Sequence, residues 1–270
     1  MALSLVMCAI ALLTGCVSNR LGRPAGVRPP CPWTLDQGAV VRGDVAEKRI
    51  ALIFTGGEHG DGSEHILDTL KRAGIKASFF VTGHYVANEE HHPFLRRMVA
   101  EGHYLGPHSD SHPLYCSWED RSRTLVTESF FRSDLQKNIE ALRGFGALDG
   151  TGPTYFIPPY EWFNEAQVRW ARDMGIVLFN FTPGSGSNRD WIPEGHAGFV
   201  SSRRILSDIL AYDRKDPHGL NGFLLLLHLG SLREDKTYLL LGTLIDELAR
   251  RGYRYVRVDE MLKQAGEHRL

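Results

Sequence analysis

From Arg49 to Val258 the chain alternates short apolar runs with amphipathic stretches, and nothing else in it restricts the fold as strongly. Ile50 to Phe54, Ala77 to Val81, Tyr155 to Ile157, Ile176 to Phe181 and Gly222 to His228 are mostly apolar runs of strand length, the pattern of strands buried on both faces, and Tyr253 to Val258, interrupted by Arg254 and Arg257, reads as a last strand. With the short Tyr104 and Leu105 lead-in they give seven strands. Between them, Ser63 to Ala73, Phe94 to Ala100, Ser133 to Leu142, Asn164 to Met174, Ser202 to Tyr212 and Tyr238 to Arg250 read as helices. Apolar residues share one face there, as in Ile66, Leu67 and Leu70 or Leu135, Ile139 and Leu142. Gly74 stands where the first helix should stop. Buried strands separated by helices belong to parallel α/β architectures, which gather ligands at the carboxyl ends of their strands.

The polar oddities fall on that rim. Thr55 to Asp61 follow the first strand and His108 and His112 the third. Pro159, Tyr160, Glu161 and Trp162 follow the fourth, Asn180 to Ser187 the fifth, and His228 ends the sixth. Two imidazoles four positions apart can reach one face of a turn, and imidazole is a common transition-metal ligand. A pair of surface histidines would look the same. The convergence of several such residues on one rim favours a single site.

The chain has 270 residues, 43% of them hydrophobic and 23% charged, with a net charge of -1; this suits a folded enzyme-sized domain and gives no reason to expect a nucleic-acid partner. Residues 1–16 resemble a bacterial lipoprotein signal, with an apolar run from Ala2 to Leu13 ending in Leu13, Thr14, Gly15 and Cys16, although no Lys or Arg precedes the run. Lipidation at Cys16 would anchor the protein to the membrane of the cell envelope, facing the periplasm or exterior. Residues 17–47, rich in Gly, Pro and Arg, read as a tether or extended segment, and residues 48–265 as the folded domain. Cys31 and Cys116 are left as either a disulfide or two free thiols.

In order and spacing, the segment from Arg49 to Lys263 resembles the polysaccharide deacetylase family, carbohydrate esterase family four. The matching pieces are Ala51 to Phe54 with the following glycines, Ile75 to Phe80 with Gly83, the His-Ser-x-x-His core at His108 to His112, Phe156 to Tyr160, and Leu225 to His228. The resemblance implies an α/β fold, a deformed (β/α)7 barrel of mostly parallel strands. It also implies one divalent metal ion, usually zinc, and removal of acetyl groups from N- or O-acetylated sugars, so that an acetylated glycan is the expected partner. It makes His108 and His112 metal ligands, Ser109 a brace for their loop, His228 the general acid, and the backbone N–H of Tyr160 an oxyanion donor.

The departures are equally specific. The family normally carries two consecutive aspartates after the first strand, a general base and a metal ligand. Here the chain reads Phe54, Thr55, Gly56, Gly57, Glu58, and Ile157 stands where an arginine is usual. Glu58 is the candidate to supply the base or the third ligand, with Asp61 behind it, while Asp110 reads as a supporting or surface carboxylate. Three readings of this loop stay open: a remodelled working site, a catalytically silent metal-containing glycan receptor, or an ordinary polar loop. A fourth possibility, an unrelated glycosidase, would pair Glu58 with Glu161 but would leave the histidine pair without a task. Trp162 and Asn180 are candidate substrate contacts, Trp162 as part of an aromatic shelf to which Phe163, Phe181, Trp191 and Tyr115 are further candidates.

Overall fold

The computed structural model describes residues 33–263; the expected signal segment, Cys16 and Cys31 lie outside the described residues. The element order is a hairpin of β1 (Thr34–Asp36) and β2 (Ala39–Arg42), then β3 (Arg49–Gly56), α1 (Ser63–Ala73), β4 (Ser78–Val81), α2 (Gly83–Ala87), α3 (His92–Ala100) and β5 (Tyr104–Pro107). It continues with α4 (Glu128–Arg143), β6 (Thr154–Phe156), α5 (Glu165–Asp173), β7 (Ile176–Leu178), α6 (Ser202–Lys215), β8 (Phe223–His228), α7 (Leu241–Arg250), β9 (Arg254–Tyr255) and α8 (Val258–Met261). All the expected strands and helices form, with ends moved by a few residues.

The strands β5, β4, β3 and β8 lie side by side in parallel, with β9 also parallel to β3, and β6 pairs in parallel with β7. The result is a deformed (β/α)7 barrel. Alternation along β3 sorts its side chains: Ile50, Leu52 and Phe54 pack outward beneath the helices, Ala51 and Ile53 inward with Phe80, Ile157, Leu224 and Leu226. Each of the larger side chains here contributes about 1.5–3 kcal/mol on burial, which is why β3 is apolar without a break from Ile50 to Phe54. The same alternation puts Thr55 and His228, register partners at the ends of β3 and β8, on the inward face.

The barrel departs from regularity at two places. Between β7 and β8 the gap is filled by β2, which bridges Val40 to Phe179, while Asn180 N–H donates to the Val40 carbonyl at 2.9 Å and Gly43 N–H to the Gly222 carbonyl at 2.7 Å. Residues 33–47, expected as part of a tether, therefore belong in good part to the fold. Their short apolar run, Ala39 to Val41, is buried, and Gln37 and Gly38 turn the hairpin with positive φ. Between β5 and β6 no backbone ladder forms; side chains span the break, Tyr155 N–H donating to Tyr104 Oη at 2.8 Å. Cys116 is buried as a free thiol among the described residues.

Candidate active site

His108 follows β5 at the edge of that break. Its backbone N–H donates to Asn138 Oδ1 at 3.0 Å and its ring Nδ1 lies 2.8 Å from the Ile157 carbonyl. A carbonyl only accepts, so Nδ1 carries the proton and Nε2 presents a lone pair inward. The loop to His112 is not helical, since Ser109 and His112 both take positive φ. It is held instead by polar ties: His112 N–H donates to Ser109 Oγ at 3.0 Å, and Asp134 accepts from the backbone N–H groups of Asp110 and Ser111. Ser109 thus braces the loop as expected, and the His108 and His112 rings stand edge to face with centroids 5.0 Å apart. Burial, with His112 and His228 adding to it against the pull of the Ile157 carbonyl, holds His108 well below the ordinary imidazole range. Burial, then His228 and His84, holds His112 down to about 4. Both rings are neutral near pH 7, the state in which imidazole binds metals.

His228, at the end of β8, is built differently. Asp190 clasps it twice, accepting from its backbone N–H at 2.9 Å and lying 2.6 Å from its Nδ1. Burial opposes a charge on this ring, but the charge and hydrogen bond of Asp190, with Glu161 beyond, prevail and raise its pKa. Three histidines of one site are therefore divided into two neutral donors and one proton holder.

The turn after β6 supplies the remaining groups. Pro158 and Pro159 fix the exit, and Tyr160 and Glu161 both adopt left-handed backbone, φ 57° and 52°. Neither is glycine, so this conformation costs about 1–2 kcal/mol per residue. It is held by Asn180, whose Nδ2 donates to the Glu161 carbonyl at 2.8 Å, and by Glu161 N–H donating to the Pro158 carbonyl at 3.0 Å. Among the described residues the Tyr160 N–H has no backbone partner, and the Tyr160 ring packs on His112 at 4.4 Å. The Glu161 carboxylate turns inward, Oε1 lying 3.8 Å from His108 Nε2. Burial pushes it up to about 7; His228 draws it down and Asp190 adds to the rise.

Other expected residues lie elsewhere. Glu58 is exposed and, among the described residues, joins no hydrogen bond or ion pair with this group. Asp61 pairs with Lys236 at 2.7 Å, and Asp110 with Lys137 at 2.6 Å. Asn180 does not face the mouth with its amide: Nδ2 holds the Glu161 carbonyl and Oδ1 accepts from Phe181 N–H at 2.9 Å. Trp162 donates from Nε1 to the Ser117 carbonyl at 3.1 Å, carries the Arg121 guanidinium over its ring at 4.3 Å, and stacks on Trp118 at 5.2 Å. The outward surface of that stack is Trp118, 55% exposed, with Tyr160 beside it, while Trp191 flanks His228 at 6.5 Å. Phe163 and Tyr115 are core residues, and Phe181 is partly buried against the interior cluster.

Sequence reasoning missed Asp190 and Trp118 and gave Glu161 only a glycosidase role. Asp190, in the loop after β7, is recognisable only through its partner His228 at the end of β8. Glu161 had a usable signal, an acidic residue directly behind a rigid Pro-Pro-Tyr exit.

A family model for polysaccharide deacetylase matches residues 42–179, half of the chain. The chain belongs to the polysaccharide deacetylase family. It is 27% identical over 244 residues to a peptidoglycan-N-acetylglucosamine deacetylase of Bacillus cereus, spanning 89% of this chain and 78% of the relative. It is 30% identical over 223 residues to a chitooligosaccharide deacetylase of Bradyrhizobium sp., spanning 78% and 90%. The solved structure of Bacillus subtilis PdaA, a family 4 carbohydrate esterase, superposes with a TM-score of 0.67 at 23% identity over 85% of this chain and 86% of the other, a likeness of fold.

Polysaccharide deacetylases are in general metal-dependent and act on acetylated glycans such as peptidoglycan. Among the described residues no three His, Cys, Asp or Glu side chains stand preassembled around one point. The donor chemistry nevertheless fits a divalent cation. Two imidazoles are neutral, one of them fixed by a carbonyl behind it, and the Thr55 hydroxyl on the inward face is buried without a partner.

Proposed function

We propose that this polysaccharide deacetylase family member hydrolyses acetyl groups from N- or O-acetylated envelope glycans, using zinc held by His108 and His112. The observation that carries the reading is the different backing of the imidazoles. A carbonyl stands behind His108 at 2.8 Å and a carboxylate behind His228 at 2.6 Å, which suits the first to bind a cation and the second to carry a proton. When bound, the cation polarises the acetyl carbonyl and lowers the pKa of water. His228 Nε2 hands a proton to the departing amine or alcohol while Asp190 keeps the ring oriented. The Tyr160 N–H donates to the oxygen that gains negative charge. Glu58 takes the proton from water; support for this is its place as the first carboxylate after β3, directly behind Gly56 and Gly57.

One observation favours a second reading, a silent glycan receptor: the inward face at the end of β3 carries no carboxylate and Glu58 is exposed. Acetate release from a panel of acetylated chitooligosaccharides, peptidoglycan fragments and xylan, with zinc-loaded protein, separates the two. Turnover by the wild type that falls about 10²–10⁴-fold in His228→Ala supports the deacetylase. Background release on every substrate, with glycan binding intact, establishes the receptor.

We also propose that Cys16 is lipidated and holds the domain on the envelope, on the strength of the apolar run before it. Loss of palmitate labelling and of membrane fractionation in Cys16→Ser is the expected result; unchanged fractionation would contradict it.

A further inference from the structure

The acidic group inside the site comes from the turn after β6, not from the strand exit where the family resemblance leads one to look. We infer that Glu161 is the third protein ligand of this chain's divalent cation, completing His108 and His112. The inference rests on the metal-dependent reading above and deepens it.

His108 Nδ1 is committed to the Ile157 carbonyl, so the lone pair on Nε2 faces Glu161 Oε1 at 3.8 Å. Two lone-pair atoms at this separation, beyond hydrogen-bond length and largely out of water, can both bind a cation placed between them. The carboxylate has no other occupation: its side chain is only 12% exposed and accepts no hydrogen bond among the described residues. Asp190 cannot substitute, because both its oxygens are engaged by His228. The chain also holds Glu161 in place against its preference, through left-handed backbone at Tyr160 and Glu161 and the tie from Asn180. The β3 exit is closed to the alternative, since a Cβ at Gly56 would come within 2.7 Å of Leu229 Cδ1 and 3.1 Å of Tyr85 Cδ2. Two imidazoles and one glutamate also form a known donor set for zinc that keeps a position open.

Calorimetric titration of zinc into metal-stripped full chain tests this, using wild type, Glu161→Gln and His108→Ala, with melting curves of the metal-free proteins to verify folding. Cobalt loading adds a d–d absorption spectrum that reports the donor set even where turnover is absent. The expected result is zinc affinity about 10-fold or more weaker in both variants, with an altered cobalt spectrum in Glu161→Gln. Undiminished or tighter zinc binding by Glu161→Gln alongside loss in His108→Ala overturns the role of Glu161 and leaves the deacetylase reading standing. No binding by wild type, or equal binding by all three, overturns the metal-dependent reading and the inference with it. Should Glu161→Gln fold poorly, Glu161→Asp is the second variant: it keeps the charge, shortens the reach, and should show an intermediate loss of affinity, full wild-type affinity counting against the inference.

Discussion

The exit of β3 and the turn after β6 belong to one rim and carry opposite contents. At the first, Thr55 presents a buried hydroxyl without a partner among the described residues, Gly56 is hemmed in by Leu229, Tyr85 and Val81, and Glu58 faces solvent. At the second, two prolines, two left-handed residues and the Asn180 amide fix a turn that sends a carboxylate inward and leaves the Tyr160 N–H, among the described residues, free of backbone partners. Strand ends converge in a barrel, so a group lost from one can be supplied by another as long as its backbone is held firmly enough. Ile157 fits the same logic. It fills the interior with an apolar side chain, and only its carbonyl takes part, behind His108.

The comparison is broken most forcefully from the side both regions serve. His108→Ala removes the imidazole 3.8 Å from the Glu161 carboxylate, and acetate release should fall to background with zinc content after dialysis; retained zinc would detach the histidine loop from the site. His228→Ala comes next, with turnover down about 10²–10⁴-fold and zinc retained, as kinetics beside metal analysis will show. Asp190→Asn yields a smaller effect with a sign. Asp190 holds the His228 proton above the ordinary imidazole range, so the acid form is present below that raised pKa and is lost as pH rises through it. Removing Asp190 should move the alkaline decline of turnover to lower pH; an unmoved limb would show that His228 is not the acid. Gly56→Asp sharpens the contrast from the β3 side: overpacking against Leu229 should lower stability by about 1–3 kcal/mol in chemical denaturation without strengthening zinc binding. The smallest effect belongs to Trp118→Ala, where loss of an exposed ring beside Tyr160 should raise KM for oligosaccharides about 2- to 10-fold, the equivalent of about 0.5–1.5 kcal/mol, with little change in kcat.

Much of this molecule could be read from its residues, and the limits have physical causes. Most strands of the barrel declare themselves because burial on both faces leaves no alternation, and the sites do so because His228 closes an apolar run and His108, with His112 four positions on, lies just beyond one. The β1–β2 hairpin was hidden by its neighbours: a run as short as Ala39 to Val41 between Gly- and Pro-rich segments signals little until the gap between β7 and β8 that it fills is known. Asp190 and Asn180 act through partners 38 and 19 residues away, on separate elements, so local spacing carries no trace of their work. For Glu58 and Glu161 the sequence offered two carboxylates and could not give the direction of either. That depends on backbone angles at Tyr160 and Glu161 that these residue types rarely adopt.

Anomalous diffraction at the zinc edge, from crystals of the zinc-loaded full chain, tests the relocated carboxylate most directly. A peak bonded to ring nitrogens of His108 and His112 and to a Glu161 oxygen is the expected result. A peak held without Glu161, or no peak beside His108, would contradict it.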